Sequence, residues 1–221
     1  MAVSEYTSVK SGYTYYAGPH NFNGESYHEY REHNALVIAQ IMRGYGWKDN
    51  VIAGIFGNMQ VESSFNPGAY YGFSEYSSVS MGLAQWDPTS KYEEWADENG
   101  YSPYIDIEYQ CERIKYESEN GLQWVRRSSF DNMTFPEFLA SEESPEFLAK
   151  VFVASYEIPA KWINGGTDRE EVYAERAEKA AYWYEIITGS PYPDTPGTSS
   201  IKNKMSLPVF LAATRRRYVV R

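Results

Sequence analysis

Hydrophobic positions recur at helical spacing in two early segments of the chain. The first has an apolar face over residues 35–42 and runs into a pair of glycines, which predicts a helix that ends there. The second begins at a capping residue, Asp49 or Asn50, and keeps an apolar face almost to Ser63, before Asn-Pro-Gly at 66–68 breaks it. Both segments are therefore predicted to be helices that face a core.

The later pattern predicts a small β element followed by more helices. Residues 68–86 alternate Gly, Tyr, Phe and Ser without a helical period, which indicates one or two short antiparallel hairpins. Further helices are predicted over about residues 90–99, 105–116, 121–127, 145–153 and 168–187. The fold class predicted by this order is α+β, mainly α: a helical domain with a small antiparallel β-hairpin insertion.

Composition divides the chain into four segments. Residues 1–31 are rich in Tyr, Ser, Gly and Asn without a helical period, and predict an irregular N-terminal arm. Residues 32–189 form the predicted helical domain, and 190–200 are a Pro/Gly/Ser linker. Residues 201–221 combine an apolar run with basic side chains and are too few to build a core. We predict that they are a tether that docks onto another protein.

The charge of the chain is negative and unevenly distributed. The net charge is −10, yet residues 198–221 contain six basic side chains and no acidic one. The first 197 residues therefore carry 14 basic against 30 acidic residues, a balance that disfavours binding to nucleic acid. No segment reaches the ~18–20 apolar residues of a membrane-spanning helix, and the N-terminus shows no Sec signal pattern.

The supply of reactive side chains restricts the possible chemistry. The single cysteine, Cys111, excludes an internal disulfide and a zinc site made of cysteines. A cysteine–histidine amidase would need Cys111 and one of three histidines, all near the N-terminus, but acidic neighbours would raise the pKa of its thiol. The 21 tyrosines suit a protein that covers an extended polar ligand. No metal or organic cofactor is implied.

Glu62 is the strongest candidate for chemistry. It lies in the string GNMQVESSFNP (57–67), at the end of an apolar helix, and a second string, SMGLAQW, follows at 80–86. Apolar neighbours disfavour the ionised carboxylate, so the pKa of Glu62 should rise, as a general acid near neutral pH requires. The alternative is an ordinary solvated carboxylate at the end of a helix.

The two strings together resemble the phage tail lysozyme family, part of the lysozyme-like superfamily that includes goose-type lysozymes and lytic transglycosylases. The resemblance begins with AGIFGNMQVE at 53–62 and continues through Tyr-Glu-Ile-Pro at 156–159. It ends with Arg176, Ala180 and Tyr184 on a closing helix, and covers about residues 33–188. It implies a lysozyme-like domain in which a hairpin faces the catalytic helix across a sugar-binding groove.

The resemblance also implies an activity and a set of site residues. The activity is cleavage of the β-1,4 bond between N-acetylmuramic acid and N-acetylglucosamine in peptidoglycan, with Glu62 as the acid. A second carboxylate would be Glu75 on the hairpin, which we favour, or Asp87. The substrate-binding residues that the resemblance implies are Ser80, Gly82, Gln85, Trp86 and Tyr156. Trp86 could stack on a sugar or pack in the core under the hairpin. Tyr156 could lie beside the catalytic acid or be an ordinary core residue.

The predicted function is therefore that of a muramidase associated with a phage tail, which opens the host wall from the virion or after release. Lytic transglycosylation of the same bond is an alternative, since that reaction needs no second carboxylate. A second alternative is a non-catalytic tail component, which keeps the lysozyme fold and only binds the wall. The expected partners are peptidoglycan glycan strands and, through residues 201–221, other tail proteins.

Overall fold

The computed structural model describes residues 3–72, 79–125, 132–158 and 169–189. Within those residues the elements are β1 (Ser4–Thr7), β2 (Thr14–Ala17), α1 (His28–Gly44), α2 (Asp49–Glu62), β3 (Tyr70–Tyr71), β4 (Ser80–Met81), α3 (Ser90–Glu98), α4 (Ile107–Glu119), α5 (Phe135–Ala140), α6 (Pro145–Phe152) and α7 (Arg169–Gly189). A 3₁₀ turn (Glu25–Tyr27) precedes α1, and a π-turn (Val153–Glu157) follows α6. The predicted class, α+β and mainly α, is confirmed.

Helix α2 forms the centre of the core and packs most extensively against α6 and α7. Every residue from Val51 to Met59 is buried, so the helix is apolar on all sides rather than amphipathic. Two glycines let its neighbours approach closely: a Cβ on Gly54 would lie 2.8 Å from Leu148 Cβ, and one on Gly57 would lie 2.4 Å from the carbonyl oxygen of Arg176. The glycines thus set the separation of the three helices.

The N-terminal segment differs from the irregular arm that the sequence predicted. Strands β1 and β2 pair antiparallel, with Ser4 opposite Ala17 and Thr7 opposite Thr14. Tyr15 and Ala17 face inward from β2 and are buried, while the backbone N–H and C=O of Tyr16 both bond to the Asn34 side chain on α1. The prediction missed this hairpin because its alternating pattern spans only four residues per strand.

Two other local predictions need correction. A helix was predicted over 121–127, but residues 121–125 form turns and irregular structure. Gly121 adopts a φ of 65°, which ends α4, and the N–H of Val125 donates to the carbonyl of Ser155 (2.7 Å) instead of to a helical neighbour. In contrast, α5 was not predicted, although Thr134 starts it with a capping box.

Several predicted features lie outside the described residues. They are the hairpin tip at 73–78 with Glu75, residues 126–131, and the linker and tether at 190–221. Among the residues that the structure does describe, no helix combines the length and the apolar character needed to cross a membrane.

Candidate active site

A cavity of about 550 Å³ opens beside the C-terminal end of α2. Its walls come from the end of α2, the loop after β4, the segment after α4, the π-turn and α7. Five residues that the sequence singled out for the site line it: Glu62, Gln85, Trp86, Tyr156 and Asp87, the last as the alternative second carboxylate. Ser80 and Gly82 do not line this cavity.

Glu62 is presented by the way in which α2 ends. Ser64 and Phe65 adopt left-handed φ values of 52° and 61°, which turn the chain sharply away from the helix axis. The hydroxyl of Ser63 donates to the carbonyl of Leu83 (3.0 Å) and ties this end to the hairpin segment. The last helical residue, Glu62, lines the cavity together with Gln85 and Trp86, and 24% of its side chain is exposed.

Arg176 on α7 is the partner of Glu62. Its Nη2 donates to Glu62 Oε1 at 3.2 Å, and its Nη1 donates to Glu175 at 3.0 Å. Burial raises the pKa of Glu62, and the charge and hydrogen bond of Arg176 oppose that rise. The pKa nevertheless remains above its ordinary value, which is the direction that a general acid needs. The close contact at Gly57 brings the backbone of Arg176 against α2.

Glu157 is another carboxyl group on the cavity wall, and it was not among the residues predicted from the sequence. It ends the π-turn and is partly buried. Burial and then the charge of Glu62 raise its pKa well above the ordinary value, while Arg176 opposes this. The only signal for Glu157 in the sequence was its place in the Tyr-Glu-Ile-Pro string.

The hairpin residues bond mainly to one another. The Ser80 hydroxyl donates to the Gln85 side-chain oxygen (3.1 Å), and the Gln85 amide donates to the carbonyl of Gly82 (2.8 Å). Gly82 has a φ of 77°, and a Cβ there would lie 2.6 Å from Gln110 Oε1. The missing side chain of Gly82 thus allows close packing against Gln110. Sugar contacts by Ser80 and Gly82 remain predictions.

Trp86 and Tyr156 share a buried acceptor, Glu117. The indole Nε1 of Trp86 donates to Glu117 Oε2 at 3.0 Å, and the Tyr156 hydroxyl donates to the same oxygen at 2.5 Å. Arg113 pairs with the other oxygen at 2.8 Å. Trp86 is 5% exposed and stacks on Tyr92, so little of its ring is open to the cavity. A contact between Trp86 and a sugar remains a prediction.

The other candidate chemistries have less support in the structure. Cys111 is fully buried, and burial raises the pKa of its thiol well above the ordinary value. A buried thiol of this kind is a poor nucleophile. Among the described residues, no group of His, Cys, Asp and Glu side chains has the arrangement of a metal site.

Comparisons with known proteins identify the family of this chain. Morphogenesis protein 1 of Bacillus phage B103 is 40% identical over 157 residues, which are 71% of this chain and 40% of that protein. The chain therefore corresponds to less than half the length of this relative. A sequence model of phage tail lysozymes matches residues 33–187, from α1 to the end of α7. This chain belongs to the phage tail lysozyme family.

Proposed function

We propose that this chain is a muramidase associated with a phage tail, with Glu62 as its general acid. It cleaves the β-1,4 bond between N-acetylmuramic acid and N-acetylglucosamine in the peptidoglycan of the host. The observation that carries the proposal is a glutamic acid of raised pKa at the wall of a cavity large enough for sugar rings. Membership of the phage tail lysozyme family supports this choice of substrate.

Glu62 performs the acid step by protonating the glycosidic oxygen as positive charge develops on the sugar. Partial burial raises the pKa of Glu62 and so favours its protonated form, while its exposed fraction leaves the carboxyl group accessible from the cavity. Once the proton has left, Arg176 stabilises the carboxylate that remains. The same ion pair then limits how high the pKa of Glu62 can rise.

The second step decides between hydrolysis and transglycosylation. Inverting hydrolysis needs a second carboxylate to activate water, and we propose Glu75 for that role, with Asp87 on the cavity wall as the other candidate. Transglycosylation instead uses a hydroxyl group of the substrate. Mass spectrometry of digested peptidoglycan separates the outcomes, because hydrolysis yields reducing ends and transglycosylation yields anhydro sugars.

The decisive variant is Glu62→Gln, which keeps the shape of the side chain but cannot donate an acidic proton. We expect turnover on soluble wall fragments to fall by about 10²–10⁴-fold. The melting temperature should stay close to that of the wild type, because the Arg176 guanidinium keeps its pair with Glu175. Glu119→Gln is the control, since Glu119 lies on the exposed face of α4 and pairs with Lys115. Activity retained in Glu62→Gln would refute the role of Glu62, and glycan binding without any cleavage by the wild type would favour a non-catalytic tail component.

A further inference from the structure

Glu157 has no part in the function proposed above, although it lines the same cavity as Glu62. It closes the π-turn, and the next residue, Ile158, adopts a left-handed φ of 43°. Both features are locally unfavourable, and both recur where a protein has to present a functional group. The position of the Glu157 carboxyl group therefore points to a role in the cavity.

The backbone around Glu157 is held by contacts from two other segments. The N–H of Val125 donates to the carbonyl of Ser155 (2.7 Å), and the Gln123 side chain donates to the carbonyl of Tyr156 (2.9 Å). The Tyr156 hydroxyl is anchored to buried Glu117. The backbone that carries Glu157 is thus held in place before a ligand arrives, which reduces the entropy that binding would cost.

The surroundings of Glu157 disfavour a negative charge. The ionisable groups that face it or line the same cavity are Glu62 on α2, Glu117 on α4, Glu175 and Arg176 on α7, Asp87 after β4, and Lys91 on α3. Arg176 donates to Glu62 and Glu175, and no hydrogen-bond donor from the described residues reaches the Glu157 carboxyl group. A partly buried carboxylate without a donor, next to other carboxylates, keeps its proton to higher pH.

We propose that Glu157 is held as a neutral carboxylic acid and donates a hydrogen bond to the glycan in the cavity. The proposal rests on the muramidase function, because the ligand is taken to be an N-acetylated sugar chain. A neutral carboxyl group has one O–H donor, whereas the ionised form has only acceptors. The oxygens of a sugar chain, the amide carbonyl above all, are acceptors for that donor. Glycan binding should therefore weaken when Glu157 loses its proton.

Glutamine and alanine at position 157 separate this role from others. Glutamine keeps a donor and does not ionise, so Glu157→Gln should have a KM within about threefold of the wild type near pH 6. Glu157→Ala should have a KM about tenfold above that of the wild type at pH values where Glu157 is protonated, the usual effect of losing one hydrogen bond to a ligand, and this KM should not follow the titration of Glu157. In the wild type, KM should rise about tenfold as pH increases through the titration of Glu157, and in Glu157→Gln it should not.

Direct titration tests the protonation state without relying on activity. Carbon-13 NMR of protein labelled at glutamate carboxyl groups should show a Glu157 midpoint above that of the exposed Glu119. In Glu62→Gln the midpoint of Glu157 should fall, because the negative charge that opposes its ionisation is gone. This measurement decides the protonation state even if Glu157→Ala does not fold.

Binding separates a failure of this proposal from a failure of the muramidase function. Calorimetry with chitotetraose as the probe should show binding to Glu62→Gln and about tenfold weaker binding to Glu62→Gln/Glu157→Ala. If the wild type cleaves no glycan but binding still depends on Glu157, only the muramidase proposal fails. The role of Glu157 is overturned if it titrates with the exposed glutamates, if glutamine does no better than alanine, or if the probe does not bind.

Discussion

Replacing Glu117 by glutamine should destabilise this fold far more than the same replacement at Glu119, two residues further along α4. Each carboxylate pairs with a base four residues earlier, at 2.8 Å for Arg113–Glu117 and 3.1 Å for Lys115–Glu119. The first pair is buried, with side-chain exposures of 9% and 3%, and the second is open, with 35% and 46%. The two pairs therefore differ in burial more than in spacing or in charge.

The expected magnitudes follow from this difference in burial. Removing one partner from a buried ion pair costs about 3–5 kcal/mol, because the other charge is left uncompensated. An exposed pair four residues apart on a helix contributes about 0.3–0.5 kcal/mol. Glutamine also offers a single acceptor oxygen where Trp86, Tyr156 and Arg113 all donate, so at least one buried donor loses its partner.

Urea unfolding followed by circular dichroism measures both variants against the wild type. With a slope of about 3 kcal/mol/M, Glu117→Gln should lower the unfolding midpoint by about 1 M or more, and Glu119→Gln by no more than about 0.2 M. Equal midpoints for the two variants would refute the reasoning. So would full recovery in Arg113→Met/Glu117→Leu, since that variant removes the ion pair but still leaves Trp86 and Tyr156 without an acceptor.

Three further predictions concern α2, the site and the buried thiol. Gly57→Ala should lower the free energy of unfolding by about 1–3 kcal/mol and reduce activity, because its Cβ would lie 2.4 Å from the Arg176 carbonyl oxygen. In Gly44→Ala the new Cβ would meet nothing within 4 Å, so thermal unfolding should show a neutral or stabilising effect. Arg176→Met should shift the alkaline limb of the pH–activity profile to higher pH, since Arg176 lowers the pKa of Glu62; an unchanged limb would contradict the pairing. Alkylating reagents should leave Cys111 and wall-lysing activity untouched until the protein unfolds, and inactivation of the folded protein would contradict this.

The sequence was sufficient where the signals are local. The end of α2 near Ser63, and with it the position of Glu62, follows from an apolar helix that runs into Asn-Pro-Gly. The start of α6 follows from Ser144 and the proline after it, and the structure has that cap. Such features depend on a few neighbouring residues, and their physical causes are visible in the sequence.

The partners of these residues could not be predicted, because they come from distant parts of the chain. Arg176 lies 114 residues after Glu62, and Gly57 lets the backbone of Arg176 on α7 approach α2 closely. Glu117, on a helix rich in charged residues, resembles an exposed acid until Trp86 and Tyr156 are found to donate to it. Glu157 is selected by its place on the cavity wall, a property that only the folded chain has.

The carboxyl groups at the site affect the stability of the fold in different ways. Glu62 and Glu157 have raised pKa values, so between the ordinary glutamate pKa and the raised value the folded chain binds more protons than the unfolded one. Their contribution to stability therefore falls as the pH rises through that interval. Glu117 is buried, pairs with Arg113 and accepts hydrogen bonds from Trp86 and Tyr156. Glu117 thus holds Trp86 and Tyr156 on the cavity wall, whereas Glu62 is paired with Arg176 and the Glu157 carboxyl group receives no hydrogen bond from the described residues.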